Sequence, residues 1–175
     1  MGKDKKEYLH KAQRHQHSVL VLLGSDSDLP IMKKAAEELE RFGVPYRMTV
    51  ASAHRTPERV RELVARAEAE GTAVFIAGAG GAAHLAGAVA ALTCRPVIGV
   101  PLGSKLSGFD SLLSTVQMPS GVPVATVAVD GASNAALLAV QMIALSDEGL
   151  SRRLAAHRKE MAEAVERKAS ALNPG

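Results

Sequence analysis

Val50-Ala51-Ser52-Ala53-His54-Arg55-Thr56-Pro57 is an extended, β-branched run that breaks directly into a helix start. Thr56 is a capping residue type, Pro57 suits the first helical position, and Glu58 suits the first turn. Between strand end and helix start stand an imidazole and a guanidinium. The first exchanges protons near neutral pH, and the second offers a fixed fork of donors suited to phosphate or carboxylate. A junction of this kind predicts an α/β fold if its neighbours repeat the same strand–loop–helix pattern.

They do. Upstream, Ser18-Val19-Leu20-Val21-Leu22-Leu23 is a continuous apolar run of strand length, as expected for a parallel strand covered on both faces. Gly24-Ser25-Asp26-Ser27-Asp28 follows as a loop. A helix then starts near Pro30, with Met32, Ala35, Ala36 and Leu39 on one face and Gly43 as its stop. Tyr46 to Val50 is the second strand.

Downstream, Val60, Leu63, Val64 and Ala67 form the core face of a helix that ends at Gly71. Ala73 to Ala77 is a third strand, Gly78 to His84 its loop, and a helix of small residues reaches Thr93. Pro96 to Val100 is the fourth strand, Pro101 to Gly108 a loop, and 109–117 a short helix. Val122 to Val129 is the fifth strand, and helices over 132–145 and about 150–172 complete the chain. The first of these two is apolar almost all round, which predicts burial on every side, part of it against another subunit. The second is amphipathic, with Leu150, Leu154, Met161, Val165 and Ala169 along one face, and His157 at the surface or an interface.

Five strands alternating with helices predict a three-layer α/β/α sandwich, flavodoxin-like, with a parallel sheet of order 2-1-3-4-5 and an extra C-terminal helix. The loops after the first four strands then meet at one sheet edge. Ligands in such sheets bind outside the carboxyl ends of the strands, at the switch point.

At 175 residues and 47% apolar content the chain suits one domain, with residues 18–171 as its body. Only 3% is aromatic, so the core consists of small aliphatic side chains. The formal charge of +3 arises entirely from Lys3, Lys5, Lys6, Lys11 and Arg14 against Asp4 and Glu7, leaving the body formally neutral. The basic segment 1–17 reads as a poorly ordered extension, not a nucleic-acid arm, because aromatic interleaving and a recognition motif are missing. Its His10, His15 and His17 make a weak metal site, lacking second-shell partners. Cys94 is the single cysteine, expected to be buried and in keeping with a reducing cytoplasm. The uncharged stretches 72–94 and 111–129 are broken by glycines and prolines, which predicts core elements and no membrane span.

The loops narrow the chemistry. Gly78-x-Gly80-x-x-Ala83 formally satisfies a dinucleotide fingerprint, but no Asp or Glu lies between Glu70 and Asp110 to hold a ribose. What remains is a set of amides free of side-chain obstruction, suited to a carboxylate or phosphate. Ser25 and Ser27 suit phosphate oxygens and Asp28 ribose hydroxyls, with helix capping as the plain alternative. Asp26 and Asp28 find no third hard ligand, so no metal is expected. A Ser–His–Asp hydrolase lacks the nucleophile elbow, and a phosphoacceptor domain lacks an Asp where Gly78 stands. A flavin-binding module stays open, although the body's aromatics are only Phe42, Tyr46, Phe75 and Phe109. For His54 the plain alternative is a histidine satisfied by loop backbone. Arg55 beside it calls for an anion and favours a functional role. His84 is balanced between ligand contact and capping.

Gly24-Ser25-x-Ser27-Asp28, Ser52-Ala53-His54-Arg55-Thr56-Pro57, Ala77-Gly78-Ala79-Gly80-Gly81-Ala82-Ala83-His84-Leu85 and Asp110-Ser111-Leu112-Leu113-Ser114-x-Val116-Gln117-Met118-Pro119 occur in that order. From about Ser18 to Ala171 the chain resembles the class I N5-carboxyaminoimidazole ribonucleotide mutases of bacterial purine biosynthesis. The resemblance implies conversion of N5-carboxyaminoimidazole ribonucleotide to 4-carboxy-5-aminoimidazole ribonucleotide without metal or organic cofactor. The carboxylate leaves nitrogen as carbon dioxide, is retained, and adds to the ring carbon. It implies His54 as the proton carrier, Asp28 at the ribose, and Ser25 and Arg55 at the phosphate. Ser27, Ser52 and His84 belong to the implied substrate site, with Gly78, Ala79, Gly80, Gly81 and Ala82 enclosing the migrating carboxyl group. A cytoplasmic homo-octamer is implied as well, with the C-terminal segment reaching a neighbour.

Two departures stand out. Leu85-Ala86-Gly87 replaces the family's usual Leu-Pro-Gly, and Leu102-Gly103 replaces Val-Gln before Ser104. The related class II enzymes, which use free carbon dioxide and aminoimidazole ribonucleotide, typically carry an Arg-Ser-Asn-type segment in the glycine loop. Gly80-Gly81-Ala82-Ala83-His84 points to the mutase instead.

Overall fold

The computed structural model describes residues 18–172. The basic segment 1–17, with the histidines noted above, lies outside them. Strand β1 (Ser18–Leu23) pairs in parallel with β2 (Tyr46–Val50) on one side and β3 (Thr72–Gly80) on the other. β3 pairs with β4 (Val97–Leu102), and β4 with β5 (Ala125–Thr126), giving the expected order β2-β1-β3-β4-β5.

The two faces of β1 show why an unbroken apolar run is needed. Val19, Val21 and Leu23 point into one core, with Met32, Ala35 and Leu39 of α1 (Leu29–Arg41) and Ala135, Ala139, Val140 and Ile143 of α5 (Ala132–Ala144). Leu20 and Leu22 point into the other, with Val60, Val64 and Ala67 of α2 (Pro57–Ala69) and Leu85 and Val89 of α3 (Leu85–Ala90). Residues alternate across a strand, so both faces must be apolar when helices cover both. Gly43 and Gly71, at φ of +65° and +85°, end α1 and α2 in the left-handed conformation open to glycine.

Several expectations change. β4 starts at Val97 and runs on through Pro101 and Leu102, expected as loop, because both pair with β3. β3 runs on through Gly78, Ala79 and Gly80, which pair with Val100, Pro101 and Leu102. These residues read as loop because glycine is depleted in strands, but pairing on the β4 side keeps them extended. α3 ends at Ala90, short of Thr93. β5 keeps only Ala125 and Thr126 of the expected run, since Pro123 has no N–H to offer a ladder. Cys94, expected to be buried, is exposed in the turn beyond α3.

α4 (Phe109–Val116) carries Phe109, Leu113 and Val116 exposed on one face. The last helix, α6 (Glu148–Leu172), buries only Leu150. Its first half packs on α5, and at the C-terminal end of α1 the His157 ring meets Phe42 edge-on at 5.4 Å and Glu160 lies 3.6 Å from Arg41. Beyond that, Met161, Val165 and Leu172 are exposed. No helix among the described residues is long and apolar enough to cross a membrane.

Candidate active site

The carboxyl ends of β1 to β4 open into a cavity of about 550 Å³. That falls within the range of about 300–1,000 Å³ typical of small-molecule sites.

The loop after β1 folds into a tight turn at Asp26–Asp28 with Ser25 as its cap. Asp28 Oδ2 accepts the Ser25 N–H at 2.9 Å, while Asp26 Oδ1 accepts from the Ser25 hydroxyl at 3.0 Å and the Ser27 N–H at 3.1 Å. The two carboxylates diverge in consequence. Burial raises Asp28 above the ordinary aspartate range, against the opposing Ser25 N–H, whereas the Ser25 hydroxyl chiefly lowers Asp26. Capping and ligand roles need not compete at Asp28, since a carboxylate has about four lone-pair sites.

After β2 the chain turns through Ser52 to Thr56. Thr56 does not cap α2 with its side chain. Its hydroxyl accepts the Ser52 N–H at 3.0 Å and donates to the Ser52 carbonyl at 3.1 Å, closing the turn that carries His54 and Arg55. These neighbours then diverge. Arg55 donates to the Gly24 carbonyl at 3.3 Å and to Ser52 Oγ at 3.4 Å, on the side of β1. His54 points to the loop after β3, where its Nε2 lies 2.7 Å from His84 Nδ1, with the rings edge-on at 75°.

His84 occupies the cap position of α3 but makes no side-chain cap bond. Its imidazole is committed to His54 instead. Ahead of it, Gly81 and Ala83 have φ of +61° and +43°, and the Ala83 N–H donates to the Gly80 carbonyl at 3.1 Å. The left-handed turn is natural at Gly81 and costs something at Ala83.

Of the residues singled out by sequence, Ser25, Ser27, Asp28, Ser52, His54, Arg55, Ala79, Gly80, Gly81 and His84 line the cavity. Gly78 and Ala82 are not among its lining residues. Gly78 answers a packing need: a Cβ there would come within 2.3 Å of Met32 Sδ, and its carbonyl accepts the Gly24 N–H at 3.0 Å. Ala82 is exposed on the turn.

The fourth loop, which the resemblance puts near the carboxyl-transfer region, adds Gly103, Ser104 and Lys105 to the lining, none of them among the candidate site residues read from sequence. The Gly103 N–H donates to Asp130 Oδ1 at 2.8 Å, and the Ser104 hydroxyl donates to Asp110, holding that carboxylate below its usual range. Among the described residues no group of three or more His, Cys, Asp or Glu is placed to hold a metal ion.

Two imidazoles in contact and a guanidinium, gathered at the switch point of a parallel sheet, make this an α/β fold with a polar small-molecule cavity. More particularly, the chain belongs to the AIR carboxylase family, whose family model matches residues 18–164. It is 58% identical over 153 residues to the N5-carboxyaminoimidazole ribonucleotide mutase of Pyrococcus horikoshii, covering 87% of this chain and 86% of that one. It is 55% identical over 152 residues to the chloroplastic phosphoribosylaminoimidazole carboxylase of Vigna aconitifolia, covering 86% of this chain but 27% of that protein. Among solved structures, Treponema denticola PurE superimposes with a TM-score of 0.82 at 30% identity, covering 89% of this chain and 98% of that one.

Proposed function

We propose that this chain is an isomerase that converts N5-carboxyaminoimidazole ribonucleotide to 4-carboxy-5-aminoimidazole ribonucleotide in purine biosynthesis. The observation that carries the reading is the His54–His84 pair, 2.7 Å apart and facing a cavity whose other side holds Arg55. In the reaction a nitrogen–carbon bond breaks, a carbon–carbon bond forms, and the ring-carbon proton is replaced by one on nitrogen. Atoms and electrons balance within the substrate, so the chemistry asks for a proton carrier and a closed site, and no cofactor takes part in this account.

In this reading Arg55 and Ser25 receive the phosphate and Asp28 the ribose. Ser27 and Ser52 complete the polar rim. Carbon dioxide formed in the pocket is held by exclusion beside Ala79, Gly80 and Gly81, where backbone is bare of bulky side chains. His54 takes the proton from the ring carbon, and His84 fixes its ring and offers a second nitrogen. Of the two ring nitrogens in the contact one must donate and the other accept, which suits a pair that passes a single proton.

The agreement over most of both chains with the relatives called mutases favours this over carboxylation by free carbon dioxide. The carboxylase name belongs to a longer protein of which this chain matches about a quarter (27%). Purified protein supplied with N5-carboxyaminoimidazole ribonucleotide should turn it over. Turnover only of aminoimidazole ribonucleotide with bicarbonate would reject the mutase reading in favour of the carboxylase. Turnover of neither, with tight binding of a yellow flavin, would support a binding module.

The same reading makes the protein a cytoplasmic homo-octamer. It is supported by the exposed apolar faces of α4, with Phe109 at 68% exposure, and of α6, with Val165 at 64%. Light scattering on the eluting species tests it, and a monomer would contradict it.

A further inference from the structure

We infer that Lys105 is the counter-ion for the carboxyl end of the substrate, an inference that rests on the mutase reading above. Two basic side chains line the cavity, Arg55 and Lys105. Arg55 is engaged with Gly24 and Ser52. Lys105 is exposed and makes no ion pair or hydrogen bond among the described residues.

The sheet sets the two cations apart. Arg55 follows β2 and reaches only as far as the end of β1. Lys105 follows β4, where Leu102 pairs with Gly80 and the Gly103 carbonyl lies 3.7 Å from where a Gly80 Cβ would stand. Two strands lie between β2 and β4 in the sheet, a separation of roughly 14 Å at the usual strand spacing. A ribonucleotide whose base bears a carboxylate carries its two anionic groups at opposite ends. With phosphate at Arg55, the carboxyl group falls on the side of Gly80, Gly81, His84 and Lys105.

The loop is built to present a cation. Asp130 holds the Gly103 N–H at 2.8 Å and Asp110 holds the Ser104 hydroxyl, so the backbone just before Lys105 is pinned. Left-handed Ser107 and Gly108, at φ of +55° and +84°, turn the chain back into α4. The lysine stem stays free. The carboxylate begins on nitrogen and ends on carbon, and an ammonium on a flexible stem meets both positions where a rigid guanidinium fork would favour one. Between them the group is neutral carbon dioxide, which a cation does not hold, so charge acts at the two ends of the reaction only.

The test compares wild type, Lys105→Gln and Lys105→Arg. It measures turnover and the affinities for substrate, for product and for aminoimidazole ribonucleotide, which has the phosphate but no carboxyl group. Lys105→Gln should raise KM for substrate and product about tenfold, with kcat little changed and aminoimidazole ribonucleotide bound as before. Lys105→Arg should recover most of the loss for one of the two carboxylated nucleotides and less for the other. Equal weakening of all three ligands would move Lys105 to the phosphate and overturn the inference. Unchanged affinities with an active wild type would leave it a solvated surface lysine and overturn it too. A wild type that turns over neither carboxylated nucleotide rejects the mutase reading, and this inference with it.

Discussion

His54 Nε2 lies 2.7 Å from His84 Nδ1, across the gap between the loops that follow β2 and β3. The contact joins two loops from non-adjacent strands at the switch point. It turns His54 away from Arg55, its neighbour in sequence, so that the imidazole and the guanidinium face different parts of one cavity.

His54→Asn should therefore keep the nucleotide and lose the proton transfer. The expected loss in kcat is roughly 10²–10⁴-fold, with affinity for product little altered. Steady-state rates paired with calorimetric binding check it. Wild-type-like turnover would remove His54 from the mechanism.

Replacing its partner should do less. In the account His84 orients His54, so His84→Phe costs about tenfold in kcat, on the scale of one lost hydrogen bond to a group that becomes charged. His84→Asn, which still offers a polar atom to His54, should retain more activity than His84→Phe. Equal losses in the two variants would speak against the hydrogen bond as the source.

Arg55→Ala should weaken binding of the phosphorylated substrate by about tenfold or more while leaving the corresponding nucleoside almost unaffected. Comparing the two ligands by competition separates loss of the phosphate anchor from general damage to the loop.

The carboxylates of the first loop should titrate in opposite senses. Asp28 should lose its proton above the ordinary aspartate value of about 3.9, and Asp26 below it, as read by carbon-13 NMR of the side chains. The sign for stability follows. The folded state binds the Asp28 proton more tightly than the unfolded chain does, so this group contributes most below about 3.9. The contribution falls as pH rises towards the folded value and is flat beyond it. Asp28→Asn should flatten that segment of the urea midpoint against pH, and an unchanged slope would contradict the assignment.

Gly78 and Gly99 test packing apart from chemistry. A Cβ at Gly99 would come within 2.3 Å of Thr115 Cγ2 and 3.0 Å of Val124 Cγ1, both on β-branched side chains with little room to yield. Gly99→Ala should cost about 1–3 kcal/mol of stability. Gly78→Ala should also destabilise, through Met32, but leave KM close to wild type because Gly78 does not line the cavity. Urea denaturation alongside KM distinguishes these outcomes.

Much of this was legible because the first half of the chain obeys local rules. The Ser18–Leu23 run is apolar at every position but its first because helices cover both faces, and the bounds of β1, β2 and α2 follow from run length and from Gly71 and Pro57. The second half is less regular. Gly78 to Gly80 became strand through tertiary pairing, against local propensity. Val122 to Val129 has strand composition, yet only Ala125 and Thr126 enter the ladder; Val127 and Asp130 donate to the Gly99 and Pro101 carbonyls outside it. The site divides in the same way. His54, Arg55, Ser25 and Asp28 could be placed at the cavity because each lies in a loop that follows a strand. The pairing of His84 depends on a contact with a residue thirty positions away, and Lys105 lies in a loop expected at this edge but within no motif that singles it out.

The central claim is that the carboxyl group of the substrate stays in the pocket while it moves. The direct measurement is the fate of that carbon in N5-carboxyaminoimidazole ribonucleotide labelled at the carboxyl group, with unlabelled bicarbonate in excess. The account predicts that the label appears in 4-carboxy-5-aminoimidazole ribonucleotide at nearly full enrichment during early turnover. Product that forms at the same rate but carries the unlabelled carbon would contradict it, and would assign this site to carboxylation by free carbon dioxide.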